Sequence, residues 1–154
     1  MHKHYTATTR NHKARKRFGQ NYLIDTKIID RIVATIASKA EDNLLEIGPG
    51  QGAMTLPLLE KLNQLHVIEI DRDLISLLES FDKDNLIIHQ GDAMKFDLNT
   101  LPTPIRVVGN LPYNISSPIL FHLLENRSLV QDMTFMLQKE VVERMVAKHG
   151  NKIY

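Results

Sequence analysis

The chain has 154 residues, 43% apolar and 24% charged, with a formal net charge of +1: one domain's worth with a real core, and neither a disordered nor a fibrous composition. The absence of cysteine excludes disulfides, cysteine-ligated zinc and thiol catalysis together, and fits a reducing, cytoplasmic setting. No apolar run approaches a membrane span, and the basic start lacks the apolar centre of a secretory signal, leaving a transit peptide as a minor alternative.

The small net charge hides an asymmetry. Residues 1–17 carry six Lys/Arg (Lys3, Arg10, Lys13, Arg15, Lys16, Arg17), three His and no acid, so the rest of the chain is net negative by five. A basic arm on a mildly acidic body is the footprint of a protein that touches a polyanion, and the cluster Lys13, Arg15, Lys16 and Arg17 abuts the ordered part directly. A solvating tail is the competing expectation.

Phe18 to Asp25 is too short for an element, and Asp25 is placed to cap the helix that follows. Ile28, Ile29, Ile32, Val33 and Ile36 recur at helical spacing, which predicts a helix over 26–38. Leu44 to Ile47 reads as a short buried strand. Strand and helix then alternate: a helix from about Ala53 to Leu62, a strand Leu65 to Ile70, a helix Arg72 to Ser80 and a strand Leu86 to His89. A longer loop leads to a strand ending before Asn110, then a helix from Ser117 to Glu125 with Ser116-Ser117-Pro118 as its capped start. A strand Met133 to Leu137 and a helix from about Lys139 close the series. Strands joined by crossover helices require a mostly parallel sheet with helices on both faces, hence an α/β domain. About five strands precede the last residue, so an uncovered sheet edge is expected here, which suggests a fragment or an outside cover.

Glu46-Ile47-Gly48-Pro49-Gly50-Gln51-Gly52 follows the first strand and opens a helix, as a nucleotide-binding turn does. Twenty-one residues after Gly48, Glu69 ends the second strand, where its carboxylate can accept from both hydroxyls of a ribose. Gly48-x-Gly50-x-x-Ala53 also fits the dinucleotide fingerprint, so the ligand stays open between a dinucleotide and S-adenosylmethionine. Asp92, in Gly91-Asp92-Ala93 at the end of the third strand, suits the amine of an adenine, though a strand-terminal Asp is equally a turn residue. Gly109-Asn110-Leu111-Pro112-Tyr113 ends the fourth strand. Aromatic amines are poor nucleophiles, and an acceptor pair made by the Asn110 side chain and the Leu111 carbonyl would hold both N–H bonds of one and aim its lone pair. Tyr113 would stack on a base taken out of its helical stack. His89 and Asp92 have a metal-like spacing without a third ligand, so no metal is expected. His66, His122 and His149 are scattered, and Glu140 and Glu143 suit a helix start better than a catalytic pair.

Phe18-Gly19-Gln20-Asn21-Tyr22-Leu23, Glu46 to Gly50, Glu69-x-Asp71, Gly91-Asp92-Ala93, Asn110 to Asn114 and Gln138 to Val142 together resemble the successive motifs of the ribosomal RNA adenine dimethyltransferases, most closely the small-subunit type. The resemblance runs from about Lys16 to the last residue. It implies a class I, Rossmann-like methyltransferase domain that uses S-adenosylmethionine to dimethylate N6 of two adjacent adenosines in small-subunit (16S) rRNA during small-subunit biogenesis. Large-subunit enzymes of the macrolide-resistance type share the motifs, and a non-catalytic ribosome-assembly factor could keep the fold. The resemblance further implies that Asn21 and Leu23 lie near the reactive end of the cofactor, Gly48 and Gly50 at its amino-acid part, Glu69 at the ribose, and Asp92 with Ala93 at the adenine. Asn110 would touch cofactor and target, and Leu111, Pro112 and Tyr113 would complete the catalytic turn. Tyr22 stands where the family often has Phe. Residues 1–17 are expected as a basic, disordered arm that binds RNA and 18–154 as the amino-terminal part of the catalytic domain, since family members continue through further strands and a helical domain. A monomer acting on rRNA or the immature small subunit, away from membranes, is the partner expectation.

Overall fold

The structure, a computed structural model, describes residues 25–147, over which helices and strands alternate. The first helix, α1 (Thr26–Ile36), starts where Asp25 turns extended and its carboxylate accepts the N–H groups of Lys27 and Ile28, two of the donors a helix start leaves open. It stops two residues earlier than the periodicity suggests. Ala37 takes a left-handed φ of 47° and returns its N–H to the Val33 carbonyl, which closes the helix.

Five strands follow: β1 (Asn43–Ile47), β2 (Leu65–Glu69), β3 (Leu86–Gln90), β4 (Ile105–Asn110) and β5 (Val130–Met136). They form one sheet in the order β3-β2-β1-β4-β5, every neighbouring pair parallel. The connections are α2 (Thr55–Leu59), α3 (Arg72–Glu79) and α4 (Ser116–Glu125), and α5 (Lys139–Val146) follows β5. Chain order runs outward from β1 to β3 and then resumes beside β1 with β4, so the strand order reverses there. A crevice opens at such a point outside the carboxyl ends of the strands.

Side chains alternate across the strands into two apolar layers. Ile29, Val33 and Ile36 of α1 and Leu58 and Leu59 of α2 pack with Leu44, Leu65, Val67 and Val108 on one face. Ile119 and Leu123 of α4 pack with Leu45, Ile47, Ile68, Ile105 and Val107 on the other. The sheet is thereby covered on both faces, as the α/β reading requires. At its amino-terminal end Arg106 of β4 ties three segments together, donating to Asp132 of β5, to Asp42 ahead of β1 and to the Ile36 carbonyl of α1. No described helix is long and apolar enough to cross a membrane.

Other boundaries also differ from the sequence expectation. The helix α2 is shorter than 53–62, because a run of turns extends the glycine segment as far as Met54. The strand β3 stops at Gln90, so Asp92 lies in the following loop. The strand β5 begins three residues before Met133. Its start is polar, and Asp132 there pairs with Arg106, so the segment hides from a reading based on apolar runs. The helix α4 begins at Ser116 behind Ile115, without a side-chain cap. Ser116 instead donates its hydroxyl to the Tyr113 carbonyl, and Pro118 falls at the third helical position, where a missing N–H is still harmless.

Gly109 decides how closely β1 and β4 approach. A Cβ there would lie 2.6 Å from the Ile47 backbone oxygen, too close for either strand to stay in place. Gly109→Ala is expected to lower stability by about 1–3 kcal/mol. Denaturant unfolding measures this, and an unshifted midpoint would mean that the two strands separate without penalty.

Candidate cofactor and target-base site

Register carries the functional segments to one place. Ile47 pairs with Gly109, so Gly48 and Asn110 leave neighbouring strands side by side. On the other flank the Gly48 N–H donates to the Ile68 carbonyl at 3.0 Å, and the Gly91 N–H donates to the Glu69 carbonyl at 3.0 Å. The Asn110 turn, the glycine turn, Glu69 and Asp92 therefore stand in a row across the carboxyl ends of β4, β1, β2 and β3. A cavity of about 270 Å³ opens along this row.

Gly48, Gly50, Glu69, Asp92, Ala93, Asn110 and Pro112 all line it. Gly48 has φ 65°, and a Cβ there would meet no protein atom within 4 Å; the backbone conformation favours glycine while the adjoining space stays open for a ligand. Glu69 is buried. Its Oε2 accepts the N–H groups of Ile70 at 2.8 Å and Asp71 at 3.1 Å, which fixes the carboxylate's orientation. Burial pushes its pKa up, while the amides of Asp71, Ile70 and Gly50 oppose that. Asp92 combines both roles open to it: its Oδ1 accepts the Met94 N–H at 2.9 Å, as a turn residue does, and it lines the cavity. Ile70, Ala93 and Met94 supply apolar wall beside these acids.

The Asn110 turn is held from both sides. The Leu111 N–H donates to the Met136 carbonyl of β5 at 3.0 Å, and the Pro112 carbonyl accepts the N–H groups of Ile115 and Ser116. With the Tyr113 carbonyl taken by Ser116, the turn's later acceptors are committed to starting α4. Leu111 points its side chain into the core, so its carbonyl is what it can offer a ligand. Tyr113 is 59% exposed and stands outside the cavity wall. Asn21 and Leu23, and the arm residues Lys13, Arg15, Lys16 and Arg17, lie outside the described residues.

The charges lining the cavity separate its two candidate ligands. Among the described residues the wall contains three carboxylates, Glu46, Glu69 and Asp92, and no Lys, Arg or His. A pyrophosphate would face them without a cation, whereas a sulfonium and an ammonium are complementary to them.

The family model for ribosomal RNA adenine dimethylase matches residues 11–154. The chain belongs to the ribosomal RNA adenine dimethylase family. It is 60% identical over 144 residues to the ribosomal RNA small subunit methyltransferase A of Aromatoleum aromaticum, covering 93% of this chain and 54% of that protein. The corresponding Pseudomonas syringae pv. tomato protein is 61% identical, with 90% and 54% covered. The chain thus spans about half the length of these relatives. Among solved structures, a dimethyladenosine transferase from Plasmodium falciparum superposes with a TM-score of 0.73 at 34% identity, covering 87% of this chain and 49% of that one. The 23S rRNA methyltransferase ErmE gives 0.70 at 32% identity, with 80% and 50% covered.

In this member of the family the acid that opens the glycine turn also belongs to the cavity, which the motif alone does not single out. Glu46 is 1% exposed, lines the cavity and accepts the Thr55 hydroxyl at 2.6 Å. Burial pushes its pKa up to about 7, the Thr55 hydrogen bond opposing this and the Glu69 charge adding to it. The available signal was an acid inside an otherwise apolar strand, with a hydroxyl nine residues later at the start of a helix. Strand pairing also brings together two histidines far apart in sequence. His66 of β2 and His89 of β3 meet at 2.9 Å, their rings stacked, with Phe96 against His89.

An acid raised in the folded state stabilises the fold less as pH rises. Glu46 goes from an ordinary 4.5 to about 7 on folding, so stability is full below pH 4.5 and falls by roughly 3 kcal/mol on the way to pH 7. Glu46→Gln is expected to remove most of that loss and to melt higher than the parent at pH 8. Thermal melts at pH 5 and pH 8 check this, and a pH-independent difference between the two proteins would contradict it.

Proposed function

We propose that this chain is the cofactor-binding and catalytic part of an S-adenosylmethionine-dependent enzyme that dimethylates N6 of two adjacent adenosines in small-subunit (16S) rRNA, serving small-subunit biogenesis. The observation that carries this is the Asn110 turn set beside a carboxylate-lined cavity: one half suits a flat ring bearing an amine, the other a cationic donor. The relatives at about 60% identity are named for the small ribosomal subunit. The lower 32% identity to ErmE makes the large-subunit reading the weaker one. Rossmann-like architecture alone would leave substrate open.

S-adenosylmethionine would supply a methyl group on a sulfonium, a carrier whose sulfur needs no acid to help it depart. The chain's task is therefore placement. Glu69 is oriented by two backbone amides to accept from ribose hydroxyls, Asp92 and Ala93 border the adenine end, and Gly48 and Gly50 leave room for the amino-acid tail. Asn110 and the Leu111 carbonyl would hold both N–H bonds of the target amine and fix the direction of its lone pair, while Tyr113 would stack on the base from outside. The extra proton leaves once the nitrogen has become cationic, so no strong base is needed at the turn. The family resemblance assigns Asn21 and Leu23 to the reactive end of the cofactor, and the charge of Lys13, Arg15, Lys16 and Arg17 suits the arm at residues 1–17 to neutralising RNA phosphates. A cytoplasmic monomer working on the immature small subunit is the setting this implies.

Asn110→Ala is expected to reduce methyl incorporation into immature small subunits at least about a hundredfold, while weakening cofactor binding only a few-fold. A labelled-methyl assay and a binding isotherm on the same protein decide it; near-parent incorporation would sink the role of Asn110. Removing residues 1–17 is expected to weaken RNA binding and flatten its salt dependence, each lost phosphate contact reducing the logarithmic slope by about 0.7–0.9. An unaltered slope would make the arm a bystander.

A further inference from the structure

Glu46 has no part in the transfer step, yet it is the most deeply buried acid in the cavity wall among the described residues. Strand alternation explains its company. Glu46 pairs with Val67, and Glu69 stands two residues further along β2, on the same sheet face. Two buried carboxylates thus share one wall, and their supports differ. Glu69 receives backbone N–H groups from Ile70 and Asp71, while Glu46 receives a single hydroxyl, from Thr55 of α2. Among the described residues, the ionisable groups around them are Glu69 from β2, Asp71 just after it and Asp92 from the loop after β3; no Lys, Arg or His lines the cavity. A proton taken up by this cluster therefore belongs on Glu46, the least supported anion.

We propose that Glu46 is a proton-linked charge sensor: it carries a proton while the cavity lacks a cation and releases it when the sulfonium-bearing methyl donor enters, so that the site distinguishes donor from demethylated product. The inference rests on the S-adenosylmethionine reading above and deepens it. The step is a simple ionisation. The O–H bond of Glu46 breaks, its electron pair stays on the carboxylate, and the proton goes to solvent. The product keeps the same amino-acid tail but has a neutral thioether, one positive charge fewer, and so draws out fewer protons.

The direction with pH follows. A cation beside a carboxylate favours its charged form. Below about pH 7, where free Glu46 is protonated, donor binding must expel a proton and weakens as pH falls; above it no such cost remains. If the donor complex is fully ionised, its affinity drops about tenfold from pH 8 to pH 6. Product affinity changes less, so the preference for donor over product grows as pH rises through neutrality.

Titration calorimetry of the whole chain at pH 7, with S-adenosylmethionine and with S-adenosylhomocysteine, in two buffers of different ionisation enthalpy, reads the protons directly. The donor is expected to release about half a proton and the product clearly less. Glu46→Gln should abolish the release and flatten the pH dependence of donor affinity. Thr55→Val, which removes the hydroxyl that supports the anion, should instead move the midpoint to higher pH. Equal release by donor and product, or release that persists in Glu46→Gln, would overturn the proposal while leaving the cofactor reading standing. Failure of the parent chain to bind either ligand would bring down the cofactor reading and this inference with it.

Discussion

Burial of two carboxylates at the carboxyl end of the central strands is the constraint on which the rest of this structure depends. Glu46 and Glu69 sit where an α/β sheet ordinarily places apolar side chains, at 1% and 5% exposure. An unpaired buried charge is costly, and the fold offsets part of that cost with a hydroxyl from α2 and two amides from the turn after β2. What remains is a wall disposed toward positive charge. The same glycine turn that could have cradled a pyrophosphate is thereby biased toward a cationic ligand. The chemistry of the site is set more by these acids than by the glycines between them.

Topology gives those acids a working partner. Because β4 lies beside β1 rather than after β3, the Asn110 turn emerges next to Gly48 instead of on the far edge of the sheet. Gly109 permits the close approach of the two strands, since any side chain there would press on the Ile47 carbonyl. The turn's downstream carbonyls start α4, and its Leu111 N–H is tied to β5. The segment proposed to orient the target amine is thus anchored at both ends on regular structure, which suits a reaction in which placement supplies most of the acceleration.

Much of this was legible in the sequence because strand and helix alternate and each strand end carries a marked residue: the glycine run, Glu69, Asp92 and Asn110. What escaped has physical causes. The polar start of β5 reads as loop because Asp132 serves Arg106 rather than a core. The start of α4 offers serines, but the helix opens one residue earlier and uses Ser116 to hold the Tyr113 carbonyl. Glu46 looked like part of a glycine motif, since only the three-dimensional fold shows that Thr55 faces it and that the cavity wall around it contains no cation among the described residues. The pairing of His66 with His89 depends on strand register, which local sequence does not encode.

A cavity walled by these acids favours a cationic nucleoside ligand over a dinucleotide. Equilibrium dialysis of the chain with labelled S-adenosylmethionine, challenged by excess oxidised and reduced nicotinamide dinucleotide, tests it most directly. The expected result is saturable binding of S-adenosylmethionine that neither dinucleotide displaces and that Glu69→Ala weakens. Displacement by a dinucleotide, or tighter binding of the dinucleotide itself, would contradict it.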